Sequence, residues 1–163
     1  MLILLTILAL PAPLPAQDAT VPADAKVITS AEGRGVQIYR CTESQWTFVA
    51  PEATLFDLTT HKKTGTHGAG PSWNWSDGSS ISGKLLQKSP SPDVANIPWL
   101  LLAATPTGAA TGILSKVILV RRWETHDGIA PSGGCDKSHE GATARIPYTA
   151  LYTFYGPSGL QQK

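Results

Sequence analysis

Successive side chains on a β-strand point to opposite faces, so a half-buried strand reads as a period of two. In this chain that period recurs and the helical one does not. Over no window of roughly 12 residues do apolar positions fall in a clean three-and-four stripe. Val36, Ile38 and Arg40 alternate with Gln37, Tyr39 and Cys41, and Trp46, Phe48 and Ala50 alternate with Thr47 and Val49. Thr54–Leu58, Ser80–Leu86, the apolar run Ile97–Ala104, the β-branched Ile113–Glu124 and the aromatic Tyr148–Tyr155 read as further strands. Asp93–Ala104 is the best helical contender, and Pro98 interrupts it.

Breakers separate these segments. Gly occurs 15 times and Pro 13 times, and turn signals recur at Glu32-Gly33, Asp77-Gly78, Ser89-Pro90, Thr105–Gly108, Asp127-Gly128 and Pro131–Gly134. Glu32–Gly35 reads as a hairpin-type turn. Many short strands with frequent turns predict an all-β, single-domain antiparallel β-sandwich or flattened β-barrel. The expected core holds Ile38, Phe48, Leu55, Phe56 and Trp99, with Leu101, Val117, Leu119, Tyr152 and Phe154.

The apolar run Met1–Leu10, followed by Pro-rich residues to Ala16, is too short to cross a bilayer, which takes about 20 residues. It has the length of a signal-peptide core, although no Lys or Arg precedes it. The competing reading is a buried first strand or helix. Residues 1–16 are therefore expected to be a signal peptide, 17–25 an N-terminal arm and 26–163 the β domain, secreted or periplasmic and without a membrane span in the mature chain. Thirteen Lys and Arg against 12 Asp and Glu leave a formal charge of +1 and no basic cluster beyond Arg121-Arg122, which argues against nucleic-acid binding.

Cys41 and Cys135 stand 94 positions apart. In an exported chain an even cysteine count implies bridging. Such a disulfide would tie the polar loop 125–142 to the core and stabilise the fold by roughly 4 kcal/mol in the chain-entropy model. Two buried thiols or two metal ligands are the competing readings. For the latter, Cys135 has His139 nearby but Cys41 has no such neighbour.

Val21–Ile28, Gly35–Cys41, Pro51–Asp57, His67–Trp73, Ile97–Leu102 and Gly134–Asp136 occur in this order. Together they resemble the DUF3455 family, a domain of unknown function in exported bacterial and fungal proteins, over about residues 20–156. The resemblance implies an exported single domain and no particular activity, so it supplies no catalytic residues. An aromatic commonly follows the motif His in that family, where this chain has Gly68.

The segment His67–Asp77 is the leading candidate site. Its glycines and proline permit close backbone approach. Trp73 and Trp75 share one strand face and would stack on a sugar ring, and Asn74 and Asp77 would bond hydroxyls. The bland alternative puts both tryptophans in the core, His67 in a turn and Asn74 in solvent. The second constellation, His126, Asp127, Asp136, His139 and Glu140, matches no known metal spacing and reads as a solvated loop. His67 with Asp57 or Asp77 could act as a base, and Glu52 with Asp77 could cleave glycosides. However, no nucleophile elbow, phosphate loop or dinucleotide fingerprint is present. The expectation is thus a binding module for a carbohydrate or other small polar ligand at His67, Trp73, Trp75 and Asp77, with no cofactor or metal implied. A small hydrolase or metal-dependent enzyme using His67, and a structural envelope protein, are the alternatives.

Overall fold

The structure, a computed structural model, describes residues 20–158, so the expected leader and the first part of the expected arm lie outside the described residues. Eight strands follow one another: β1 Lys26–Thr42, β2 Gln45–Asp57, β3 Lys63–Gly68, β4 Ser72–Trp75, β5 Ser80–Ser89, β6 Trp99–Pro106, β7 Leu119–Asp127 and β8 Thr143–Gly156. Each pairs antiparallel with the next, and β8 returns to pair with β1 from Lys26↔Gly156 to Arg40↔Thr143. The chain is therefore all-β and closes into one up-and-down barrel, not two facing sheets. Closure is complete where all eight strands overlap, but β3 and β4 are short, so β2 pairs with β3 only over Ala53–Phe56 and β5 with β4 only over Ser80–Ser82, which leaves a gap between β2 and β5 toward the disulfide end. Among the described residues no helix is long and apolar enough to cross a membrane.

The alternation in β1 is real, but its inner phase is Ala31, Gln37, Tyr39 and Cys41, all buried. Ile38, expected in the core, faces outward with Val36 and Arg40 and is half-buried. Leu55, Leu101, Val117, Tyr152 and Phe154 are buried as expected. Phe56, Trp99 and Leu119 are half-buried, and Phe48 is 50% exposed. The outward aromatics are covered by arginine instead: the Arg34 guanidinium lies 5.1 Å above Phe56, and Arg121 lies 5.5 Å from Trp99 and 4.9 Å from Trp123.

Two segments differ from expectation for steric reasons. Glu32–Gly35 is not a turn but the middle of β1. A Cβ at Gly33 would sit 2.5 Å from the Tyr152 ring, and one at Gly35 would run into the backbone of Glu52 and Ala53. Glycine inside a strand here marks close approach, not a break. Ile113–Glu124 is not one strand. Ile113–Lys116 forms a 3₁₀ turn, and β7 begins at Leu119. Leu114 and Val117 are both fully enclosed and stopper the barrel end that carries connections 58–62, 76–79 and 107–118.

The opposite end carries connections 43–44, 69–71, 90–98 and 128–142. Cys41 and Cys135 form a disulfide, with Cα atoms 5.3 Å apart. It ties loop 128–142 to the protruding end of the β1–β2 hairpin. Hydrogen bonds add to the tie, among them Tyr39 Oη to the Gly128 carbonyl (2.7 Å), Trp46 Nε1 to that of Gly133 (2.8 Å), Cys41 N to that of Ala142 (2.8 Å) and Gly141 N to that of Cys41 (2.9 Å).

Candidate functional site

At the disulfide end of the barrel lies a cavity of about 330 Å³. Its rim is apolar and open: Phe48, Val49 and Leu85 are 50, 51 and 51% exposed. The bulge at Ile38/Tyr39 leaves Val49 as the unpaired extra residue of β2, which turns this stretch out of the regular pleat. Pro51, Pro71, Leu100 and Leu102 continue the wall. Deeper in, the lining changes to buried aromatic and polar groups: His67, Trp73 and Tyr152, with half-buried Arg122 beside them.

His67 on β3 is paired across the sheet with Trp73 on β4, and both side chains point inward. Their rings stack at 4.5 Å with 11° between planes, and Tyr152 leans on His67 at 5.0 Å. The His67 Nδ1 is 2.8 Å from the Ser72 carbonyl. A carbonyl can only accept, so Nδ1 carries the hydrogen and Nε2 the lone pair. Burial pushes the ring down to about 4, so it is neutral at physiological pH.

Arg122 follows Val120 in the inward phase of β7 and lies in register between Leu100 on β6 and Tyr152 on β8. Its Nε and Nη2 donate to the Pro98 carbonyl at 3.2 and 2.7 Å, which holds the guanidinium at the barrel wall. The Tyr148 and Tyr152 hydroxyls are 3.0 Å apart. Burial pushes both phenols up, with the Arg122 charge opposing, so both are neutral hydroxyls.

Of the four residues expected to bind ligand, His67 and Trp73 line the cavity, and Trp75 and Asp77 do not. Trp73 is 1% exposed and Asn74 is in solvent, so the two tryptophans offer no open stacking face. Trp75 packs edge-on against Phe154 at 5.7 Å, further down the barrel. Asp77 sits at the stoppered end. Its Oδ1 accepts from Ser79 N (2.9 Å) and Oγ (2.6 Å), and its Oδ2 accepts from Ile113 N (2.7 Å). Asp57 caps its own turn by accepting from Thr59 and Thr60, and Glu52 pairs with Arg145 at 2.7 Å, so neither carboxylate bonds His67.

Asp136, His139 and Glu140 of the loop constellation are likewise spent on local structure, and Asp127 is exposed. Asp136 accepts from Ser138 N (2.8 Å) and Oγ (2.6 Å) and lies 2.8 Å from His139 Nδ1, and these bonds hold its carboxyl down at about 2. Glu140 accepts from Glu43 N at 3.1 Å, and His126 is exposed. Among the described residues no group of three or more His, Cys, Asp or Glu is placed to hold a metal ion.

Sequence reasoning missed Arg122 and Tyr152. Arg121-Arg122 read as an isolated basic pair, although the shared phase of Val120 and Arg122 was a signal that one arginine points inward.

No curated protein and no solved structure matches the chain. The model of one family, proteins of unknown function DUF3455, matches residues 22–156. With nearly the whole barrel inside that match, the chain belongs to the DUF3455 family.

Proposed function

We propose that the chain is an exported binding protein that takes one small, largely apolar molecule through the mouth between Phe48 and Leu85. The observation that carries this reading is the cavity itself: an apolar wall with a few polar atoms held at fixed positions deep inside it, as small-molecule sites are built. An eight-stranded barrel is just wide enough for side chains or one small ligand, a likeness of architecture only. The disulfide supports an oxidising compartment, hence the secreted or periplasmic location.

The lining favours a ligand with an apolar body over a sugar, because the Trp73 ring already stacks on His67. A hydrolase fits less well. A histidine base is oriented by a carboxylate in the common triad, whereas Nδ1 here goes to the Ser72 carbonyl and the ring is a weak base. A structural envelope protein would need no cleft of this kind.

Titration with the uncharged dye N-phenyl-1-naphthylamine, read by its fluorescence, tests the proposal. One saturable site per chain is expected, weakened about tenfold or more by Leu100→Trp, which fills the cavity from β6. Non-saturable dye binding, or equal binding by this variant at unchanged thermal stability, would refute it.

A further inference from the structure

We infer that the cavity is built for a small free monocarboxylic acid, its carboxylate against Arg122 and its hydrocarbon body against Val49, Leu85 and Leu100. The inference rests on the cavity being a binding site, as proposed above.

The charge is the starting point. A guanidinium is charged at every relevant pH. Arg122 faces into the barrel, is half-buried, and has apolar Leu100 and Leu102 for company. Among the described residues no carboxylate lies within ion-pair distance of it. The contrast with the surface is direct: Arg34 and Arg145 each hold a glutamate, at 2.6 and 2.7 Å. A charge partly withdrawn from water and left unpaired is costly, and an entering anion removes that cost.

Position and donor count agree. Arginine carries five N–H donors, of which the Pro98 carbonyl takes two. The same two bonds prevent the side chain from swinging out to solvent, so the donors left over are preorganised. Tyr152, the register neighbour of Arg122, is enclosed behind the guanidinium with its hydroxyl 3.0 Å from that of Tyr148, so it backs the arginine and is not itself open to a ligand. Planar carboxylate on guanidinium is the strong, directional pairing of charged groups.

The surroundings limit the anion to one charge. Arg122 is the one cation on the cavity wall. His67 cannot be a second, because burial keeps it neutral and its Nδ1 hydrogen is committed to Ser72. Its Nε2 presents a lone pair, which disfavours another anionic oxygen nearby. A phosphate or diacid would leave charge unmatched against Pro71 and leucine side chains.

Displacement of bound N-phenyl-1-naphthylamine tests this with three competitors that share a phenyl ring. These are 3-phenylpropionate, the neutral 3-phenylpropionamide, and N-acetyl-glycyl-phenylalanine, which offers the same acid at a peptide end. The free acid is expected to displace the dye about tenfold better than the amide and better than the peptide. The acid-to-amide ratio should fall to about one in Arg122→Gln and severalfold in Arg122→Lys, which keeps the charge but loses the fork. Equal displacement by acid and amide, an unchanged ratio in Arg122→Lys or folded Arg122→Gln, or a stronger peptide would each overturn the assignment. If wild type gives no saturable dye binding, the binding reading itself fails, an outcome distinct from these.

Discussion

At the scale of single residues, His67 makes the stability of the barrel depend on pH. It is 4% exposed, neutral, and held down at about 4, whereas in the unfolded chain it titrates near 6.5. The unfolded state therefore binds a proton first as pH falls. The stability this neutral ring contributes is complete above about 6.5, declines between there and about 4, and is constant below. The window is worth about 3 kcal/mol. Urea unfolding at pH 7, 5.5 and 4 should show that loss in wild type and a flatter profile in His67→Gln. Parallel profiles would mean that the ring is not buried neutral. Asp136, pulled down to about 2 by Ser138 and His139, contributes stability present above its ordinary value and lost only as pH falls toward 2, so the two effects separate.

Among elements, the 3₁₀ turn Ile113–Lys116 shows how a candidate ligand residue proves to be a brace. Asp77 reaches across the β4–β5 connection to the turn's first N–H, and Ser79 Oγ accepts from Leu114 N at 3.0 Å. These bonds seat Leu114, which is 0% exposed, in the barrel end. Leu114→Ala should cost about 2–5 kcal/mol in urea unfolding, because the enclosed site cannot collapse freely. Asp77→Ala should lower the urea midpoint while leaving dye affinity within about twofold; a loss of about tenfold would put Asp77 at the ligand after all. The sequence marked Asp77-Gly78 as a turn correctly. It could not show that the partner of the carboxylate lies 36 residues away at Ile113.

For the whole molecule, β1–β8 closure and the disulfide act on the same weak point, the long loop 128–142 between β7 and β8. The bridge closes 94 residues. Cys41→Ser with Cys135→Ser should lower stability by about 4 kcal/mol in the chain-entropy model, less if the unfolded chain stays compact. The barrel should still form, because β1–β8 pairing does not depend on the bridge. Thermal unfolding with and without reductant, read beside amide exchange, checks this. Faster exchange confined to loop 128–142 is expected, and loss of protection in β8 would show the bridge to be part of barrel closure.

Most strands and the pairing of two cysteines were legible because each depends on local chemistry, a period of two and an even thiol count; the short β3 and β4, the run of β1 through Gly33 and Gly35 and the start of β7 at Leu119 were not. Nor was the face that became the inside. Alternation has two phases of equal local standing, and Val36, Ile38 and Arg40 read as more apolar than or equal to Gln37, Tyr39 and Cys41. Only pairing with neighbours on both sides, down to glycines that make room for Tyr152, selects the inner set. The same choice turned Arg122 inward and Arg121 outward. The sequence alone thus determined an all-β chain with its bridge, and barrel closure, a property of all eight strands together, decided where the cavity and its one charge would be.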